Sequence, residues 1–222
     1  KLRNFISLKN IEIDYVFSIV NFRMLKSEDL NIPKYSCINF HDGPLPEYAG
    51  TNVTNWAIIN GEKKHGVTWH LMTEEADTGN ILEEGEISIE PDNTVYDLNI
   101  KCFNLGISLF KKLIRKLENS DYKGSLQNLS KRNYYGWFQR PEFNCIIDPS
   151  ILSASKISNL IRSLNFKTIK NNIGLPKLYH NDSLWIISDY YLKEQRMDLS
   201  SRGKIVSIDT NTKTITIVAN DG

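Results

Sequence analysis

The sequence lacks long apolar runs, paired cysteines and an excess of charge of one sign. No apolar stretch approaches the roughly 20 residues that a membrane-spanning helix needs. Its three cysteines, Cys37, Cys102 and Cys145, are widely spaced, so neither a disulfide framework nor a structural zinc site is expected. Lysine and arginine (27) nearly balance aspartate and glutamate (26), which excludes a general polyanion-binding surface. These absences predict a cytoplasmic protein with no membrane partner and no metal.

The composition is that of an ordinary globular protein. Of the 222 residues, 41% are hydrophobic and 24% are charged, which excludes disordered, collagen-like and coiled-coil classes. The length predicts one full domain and a smaller one.

The first half of the chain reads as an α/β domain. Short β-rich runs at 14–20 and 35–41 flank a helix-compatible segment at 27–30, and this order favours a parallel pair of strands. Two further strands, at 66–72 and 80–89, are separated by a polar loop. In such sheets ligands bind at the carboxyl ends of the strands.

A long helix follows the fourth of these strands. Thr94 and Asp97 have the spacing of a capping box. Apolar residues then recur at helical spacing, at Leu98, Cys102, Leu105, Leu109, Leu113 and Leu117.

The composition changes at the break around Pro149. A helical pattern begins at Ser153 and is followed by short alternating segments typical of a small β-barrel. These segments are 176–179, 184–192, 203–208 and 213–218. We therefore predict a catalytic domain over 1–133, a linker over 134–150 and a barrel domain over 151–222.

Candidate catalytic residues lie at the end of the second strand. Because side chains alternate across a strand, Asn39 and His41 share a face, and they offer an oxyanion donor and a proton acceptor. Taken by itself, the pair is more often only a capped strand end, because such short matches are common. Asp77, in the next polar loop and close to Gly79, could orient His41 and stabilise its protonated form.

The order of several motifs along the chain distinguishes these alternatives. The motifs are Cys37-Ile-Asn-Phe-His41, Pro44-Leu-Pro46, Tyr48-Ala-Gly50, Trp56-Ala-Ile58, Asn60-Gly61, Gly66-Val-Thr68 and Asp77-Thr-Gly79. Together they resemble the catalytic domain of the folate-dependent formyltransferases. That family includes methionyl-tRNA formyltransferase, amino-sugar N-formyltransferases and formylation domains of nonribosomal peptide synthetases.

The resemblance implies a fold and a mechanism. The fold is a Rossmann-like catalytic domain, here lacking its first strands, followed by a small OB-like β-barrel that is cut short. Asn39 and protonated His41 would stabilise the oxyanion formed when an amine attacks 10-formyltetrahydrofolate, without a metal. His41 and Asp77 would manage the proton of the amine, and a role for Asp77 as the base near neutrality requires a raised pKa.

The resemblance also implies a site for the pterin of the folate. It would be formed by the loop after the first strand and by the loop that carries Asp77. The residues so implied are Phe22, Arg23, Met24, Leu25, Glu75, Ala76 and Gly79. Met24 and Leu25 fit the protein core equally well, and His65 and His70 are most simply solvated or packing side chains.

Departures from the family pattern bear on the acceptor. The segments 41–46 and 49–50 look more like formyltransferase domains of peptide or polyketide synthetases than like the tRNA enzyme. We therefore predict an amino-acid acceptor, held as a thioester on a carrier protein, in a chain fused to synthetase modules. The alternatives are formylation of methionyl-tRNA or of an amino sugar, with nucleic acid as a partner only if tRNA is the acceptor.

Two alternatives come from other functional classes. The first is a non-catalytic module that docks a carrier protein. The second is a nucleic-acid-binding barrel, but its aromatic residues are accompanied only by scattered lysines and arginines. These aromatic residues are Tyr179, Trp185, Tyr190 and Tyr191.

Overall fold

The computed structural model describes residues 11–21, 23–118, 122–193 and 198–222. Their described parts form two compact units. The first comprises the chain up to Thr54, Lys63–Ile89 and Leu98–Trp137, and the second comprises Asn55–Glu62, Glu90–Asp97 and Phe138–Gly222. Phe22 lies outside the described residues.

The two units contain four α-helices and ten β-strands among the described residues. In chain order they are β1 (Tyr15–Ile19), α1 (Ser27–Leu30), β2 (Ser36–His41), β3 (Ala49–Gly50), α2 (Val53–Ile59), β4 (Lys64–Leu71), β5 (Ile81–Ser88), α3 (Val95–Leu117), β6 (Tyr134–Tyr135), α4 (Ala154–Leu164), β7 (Lys177–His180), β8 (Ser183–Ile186), β9 (Lys204–Asp209) and β10 (Thr214–Val218). Short 3-10 turns at Leu129–Lys131, Glu142–Cys145 and Leu199–Ser201 complete the set.

The first unit is built on a mixed four-stranded sheet with the order β1-β2-β4-β5. Strands β1 and β2 are parallel, which confirms the predicted strand–crossover–strand unit. Strand β4 pairs antiparallel with both β2 and β5. In the β2–β4 ladder Asn39 lies opposite His70, and His41 lies opposite Thr68. The register thus brings a second histidine to the polar end of β2.

Helix α3 is the long helix that the sequence predicts, and its capping box is present. The Thr94 backbone N–H donates to the Asp97 carboxylate (3.0 Å), and the Asp97 N–H donates to the Thr94 hydroxyl (3.3 Å). A Cβ added at Gly106 would lie 2.4 Å from the ring of Phe40, so this helix lies tightly against the sheet. Its buried residues include Leu98, Cys102, Leu109, Leu113 and Leu117.

The first unit also contains a small two-stranded sheet, which positions Gly50. Strand β3 runs parallel to β6 and pairs Gly50 with Tyr135. Gly50 has φ of 102°, and a Cβ there would lie 2.1 Å from the Tyr135 carbonyl oxygen. Only glycine fits this close approach, which leaves the Gly50 N–H facing the Asp77 loop.

The second unit contains α4 and two separate hairpins. Ser153 caps α4, since its side chain accepts a hydrogen bond from the Lys156 N–H. Among the described strands β7 pairs with β8 and β9 pairs with β10, and Lys177 of β7 also forms an isolated bridge with Ile146. Buried apolar residues of α4 form a core cluster with Cys145, Ile147, Ile173, Leu178 and Ala219.

The predicted barrel is not present among the described residues. They hold two hairpins that share no ladder and do not close. The strand predicted over 184–192 is also shorter in the structure. Strand β8 ends at Ile186, because it pairs with only the four residues of β7. Within the same described ranges, no helix has the length and apolarity to cross a membrane. The three cysteines are buried free thiols.

Candidate active site

Asn39 and His41 project from the same face of β2, as the period of two predicts. His41 is only 5% exposed, whereas Asn39 is partly exposed. The alternate residues, Ile38 and Phe40, are buried in the core. The polar pair therefore lies at the carboxyl end of a strand that is otherwise buried.

Asp77 lies in the loop between β4 and β5, in a left-handed backbone conformation with φ of 58°. Its Oδ2 accepts a hydrogen bond from the Gly50 N–H at 2.8 Å. Its Oδ1 lies 3.9 Å from Nδ1 of His41. The structure thus brings together the three residues that the resemblance implies as catalytic.

His70 is a fourth member of this cluster. It is 2% exposed, and its Nε2 lies 3.2 Å from the Asn39 amide nitrogen and 3.4 Å from Asp77 Oδ1. The interpretation of His70 as a solvated side chain is wrong. A prediction that β2 and β4 pair antiparallel, with Asn39 opposite residue 70, would have identified His70.

Both imidazoles have one nitrogen fixed by a backbone carbonyl. His41 Nε2 lies 2.6 Å from the Tyr48 carbonyl oxygen, and His70 Nδ1 lies 2.8 Å from that of Leu71. A carbonyl oxygen only accepts, so each of these nitrogens carries the hydrogen. The nitrogens left to gain or lose a proton, His41 Nδ1 and His70 Nε2, both face Oδ1 of Asp77.

The charge state of Asp77 follows from these contacts. Burial acts to raise its pKa, but nearby His41, the proximity of His70 and the Gly50 N–H together hold the pKa well below its usual range. Asp77 therefore does not meet the condition of a raised pKa that a role as the base would require. Asp77 is an anion at neutral pH, and the imidazoles are the candidate bases.

His65, the other buried histidine of β4, has a packing role. It is 2% exposed, its Nε2 lies 2.8 Å from the Asp42 carbonyl oxygen, and its ring meets the Tyr48 ring edge-on. The packing interpretation of His65 therefore holds, although the solvated one does not.

The residues implied for pterin binding lie on two loops of the first unit. Arg23 and Met24 are exposed, Met24 by 59%, and Leu25 is partly buried. The interpretation of Met24 as a core residue is therefore wrong. Ser27, at the start of α1, donates a hydrogen bond to Glu74, which joins the α1 end of the first loop to the second.

The second loop presents both backbone and side chains. Glu75 is exposed, Ala76 is partly buried and Gly79 is buried. A Cβ at Gly79 would lie 1.9 Å from the Leu71 carbonyl oxygen, so this position requires glycine. Within the described parts of the chain, no cluster of histidine, cysteine and carboxylate side chains could hold a metal ion.

Fold and site together define an α/β protein that gathers an amide, two imidazoles and a carboxylate at a strand end. The family model for formyl transferases matches residues 4–114, which is half of the chain. The chain belongs to the formyl transferase family.

Similar proteins come from two branches of that family. A methionyl-tRNA formyltransferase from Clostridium novyi is 40% identical over 158 residues, which cover 71% of this chain and 50% of the relative. A Helicobacter canadensis N-formyltransferase, solved with folinic acid and dTDP-3-aminofucose, is 28% identical with a TM-score of 0.64, covering 75% of this chain and 58% of its own. A sugar N-formyltransferase from a Shewanella species is also 28% identical with a TM-score of 0.64, covering 81% and 71%. The chain spans about half the length of the curated relatives it matches.

Proposed function

We propose that the protein transfers a formyl group from 10-formyltetrahydrofolate to a primary amine. The observation that carries this proposal is a polar cluster in which His41 and His70 face the Asp77 carboxylate and Asn39 contacts His70. Membership of the formyl transferase family supports it. The Helicobacter relative solved with folinic acid supports a folate as the formyl donor.

The proposed reaction begins when the neutral amine attacks the formyl carbon. Its nitrogen forms a bond to that carbon, and the carbonyl oxygen takes the electron pair. Asn39 has two amide hydrogens and donates one to His70, so the second is available for this oxyanion. Collapse of the intermediate breaks the bond from the carbon to N10 and releases tetrahydrofolate.

In this scheme the imidazole of His41 transfers the proton. The attacking amine loses a proton to Nδ1 of His41, and the proton passes to N10 of the leaving folate. Asp77, ionised and close to that nitrogen, stabilises the intervening imidazolium. Asp77 thus serves as a fixed anion and not as the base.

The pterin site proposed here uses the two loops of the first unit. Exposed Met24 and partly buried Leu25 would provide apolar contacts, with Phe22 and Arg23 beside them in sequence. Backbone groups of Glu75, Ala76 and Gly79 would bind the polar edge of the ring. The division into 1–133, 134–150 and 151–222 and a cytoplasmic location stay predictions.

The acceptor is proposed only as a primary amine. An amino acid on a carrier protein is favoured only by sequence features, which are segments 41–46, 49–50, 65–70 and 174–177 with Asn52 and Trp56. Similar proteins are instead named for methionyl-tRNA or for sugars. All three kinds of amine therefore belong in the test.

The test uses the full-length polypeptide with 10-formyltetrahydrofolate. Methionyl-tRNA, a nucleotide-linked amino sugar and an aminoacyl thioester are offered in turn, and formylated product is measured by mass spectrometry. Asn39→Ala and His41→Ala should each lower kcat by roughly two to four orders of magnitude. Asn211→Ala, in an exposed turn of the second unit, is the matched control.

Two outcomes would contradict the proposal. A non-catalytic docking module would formylate none of the three amines. Wild-type turnover in both Asn39→Ala and His41→Ala would show that the reaction does not use this cluster.

A further inference from the structure

The backbone of the Asp77 loop is held by a side chain distant in sequence. Gln127 Nε2 donates to the Asp77 carbonyl oxygen at 3.1 Å and to the Gly79 carbonyl oxygen at 2.6 Å. Asp77 itself has a left-handed conformation, which is uncommon for a non-glycine residue.

The orientation of the Gln127 amide is determined by chemistry. Both backbone oxygens only accept hydrogen bonds, so the NH₂ group must face them and both of its hydrogens are used. Its Oε1 is consequently turned away, where it is buried without a partner in the described residues. A buried oxygen without a hydrogen-bond partner normally destabilises a protein, and at Gln127 it accompanies the two hydrogen bonds that the NH₂ group donates.

The loop is also held at two other points. Oδ2 of Asp77 accepts from the Gly50 N–H at 2.8 Å, and Arg132 Nη2 donates to the Ala76 carbonyl oxygen at 3.0 Å. Of the two side chains, only Gln127 donates to the backbone of Asp77 itself.

We propose that Gln127 is a positioning residue, which fixes the Asp77 backbone so that the carboxylate meets His41 and His70. Gln127 acts only through Asp77. The inference rests on the proposed function for its kinetic tests, and one further test is independent of activity.

The first test removes the two donors at constant side-chain length. Gln127→Met in the full-length protein should lower kcat by about 10- to 100-fold, the effect of displacing a reacting group by about 1 Å. The Michaelis constant for the amine should change less than about threefold, since Gln127 acts through Asp77. The control is Gln139→Met, at an exposed glutamine, and thermal unfolding checks that both variants fold.

The isosteric variant Gln127→Glu provides a second route if Gln127→Met does not fold. Its ionised carboxylate would repel the two carbonyl oxygens, whereas the protonated form regains one donor. Activity relative to wild type should therefore recover as the pH is lowered. A constant deficit at every pH would contradict positioning by hydrogen bonds.

A double-mutant cycle separates positioning from a general structural effect. If Gln127 acts through Asp77, Gln127→Met should change kcat less than about twofold in an Asp77→Asn background. An equal reduction in both backgrounds would overturn the proposal.

The last test does not depend on turnover. A carbon-13 NMR titration of aspartate-labelled protein, with Asp77 assigned from Asp77→Asn, should show a depressed carboxyl pKa in wild type. In Gln127→Met the pKa should move towards the ordinary value near 4. An unchanged titration would refute positioning. A shifted titration together with no formyl transfer by wild type would refute the proposed function alone.

Discussion

Replacing His70 with asparagine tests the interaction that the sequence interpretation missed. The His70→Asn amide can still donate to the Leu71 carbonyl oxygen, as Nδ1 does now at 2.8 Å, but it lacks the atom at Nε2. That atom accepts from Asn39 at 3.2 Å and lies 3.4 Å from Asp77 Oδ1. The substitution therefore removes both of these interactions and preserves the hydrogen bond to Leu71.

The expected magnitude follows from the strength of the two interactions that His70→Asn removes. A neutral hydrogen bond contributes about 1 kcal/mol and one to a charged group about 1.5 to 3 kcal/mol. If one to two such contributions support the transition state, kcat should fall about 10- to 100-fold, at about 1.4 kcal/mol for each factor of ten. The pKa of Asp77 should also rise, because the nearby His70 imidazole helps to lower it.

The assay is formyl transfer by the full-length protein under saturating substrates, with thermal unfolding measured in parallel. The matched control is His65→Asn, an equally buried histidine of β4 whose Nε2 faces the Asp42 carbonyl oxygen instead. Wild-type kcat in His70→Asn, with a smaller kcat in His65→Asn, would show that the cluster functions without His70.

Three further predictions concern stability. Because folding lowers the pKa of Asp77, the ionised carboxylate stabilises the folded protein fully above about pH 4 and less as the pH falls further. The difference in free energy of unfolding between wild type and Asp77→Asn, measured in urea, should therefore shrink between about pH 7 and about pH 3. Gly79→Ala should lower the free energy of unfolding by about 1 to 3 kcal/mol, whereas Gly136→Ala, whose Cβ would meet nothing within 4 Å, should have little effect. Asn55→Ala should cost about 1 to 3 kcal/mol by leaving the buried carbonyl of Ser163 unpaired, with equal unfolding midpoints as the contrary result.

Local patterns in the sequence were sufficient for much of the fold. The capping box of Thr94 and Asp97 and the apolar period after it depend on residues close in the chain, and α3 begins and ends where they predict. The alternation along β2 likewise placed Asn39 and His41 on one face. These features required no knowledge of distant parts of the chain.

Features that depend on residues distant in sequence were missed. The position of His70 follows from the β2–β4 register, and the low pKa of Asp77 follows from its interactions with Gly50, His41 and His70. Similarly, alternating segments predict strands, but they do not determine which strand pairs with which. The carboxyl-terminal strands therefore form two hairpins where a barrel was expected.

The geometry of the cluster limits how many protons it can hold. The rings of His41 and His70 are 6.4 Å apart, so two imidazolium ions would repel each other by about 2.6 kcal/mol at an effective dielectric constant of about 20. Asp77 supplies one negative charge, which balances one imidazolium and leaves a second uncompensated in a buried site. Asp77 can therefore balance one imidazolium at a time, and the proposed formyl transfer requires only one, because each amine releases a single proton.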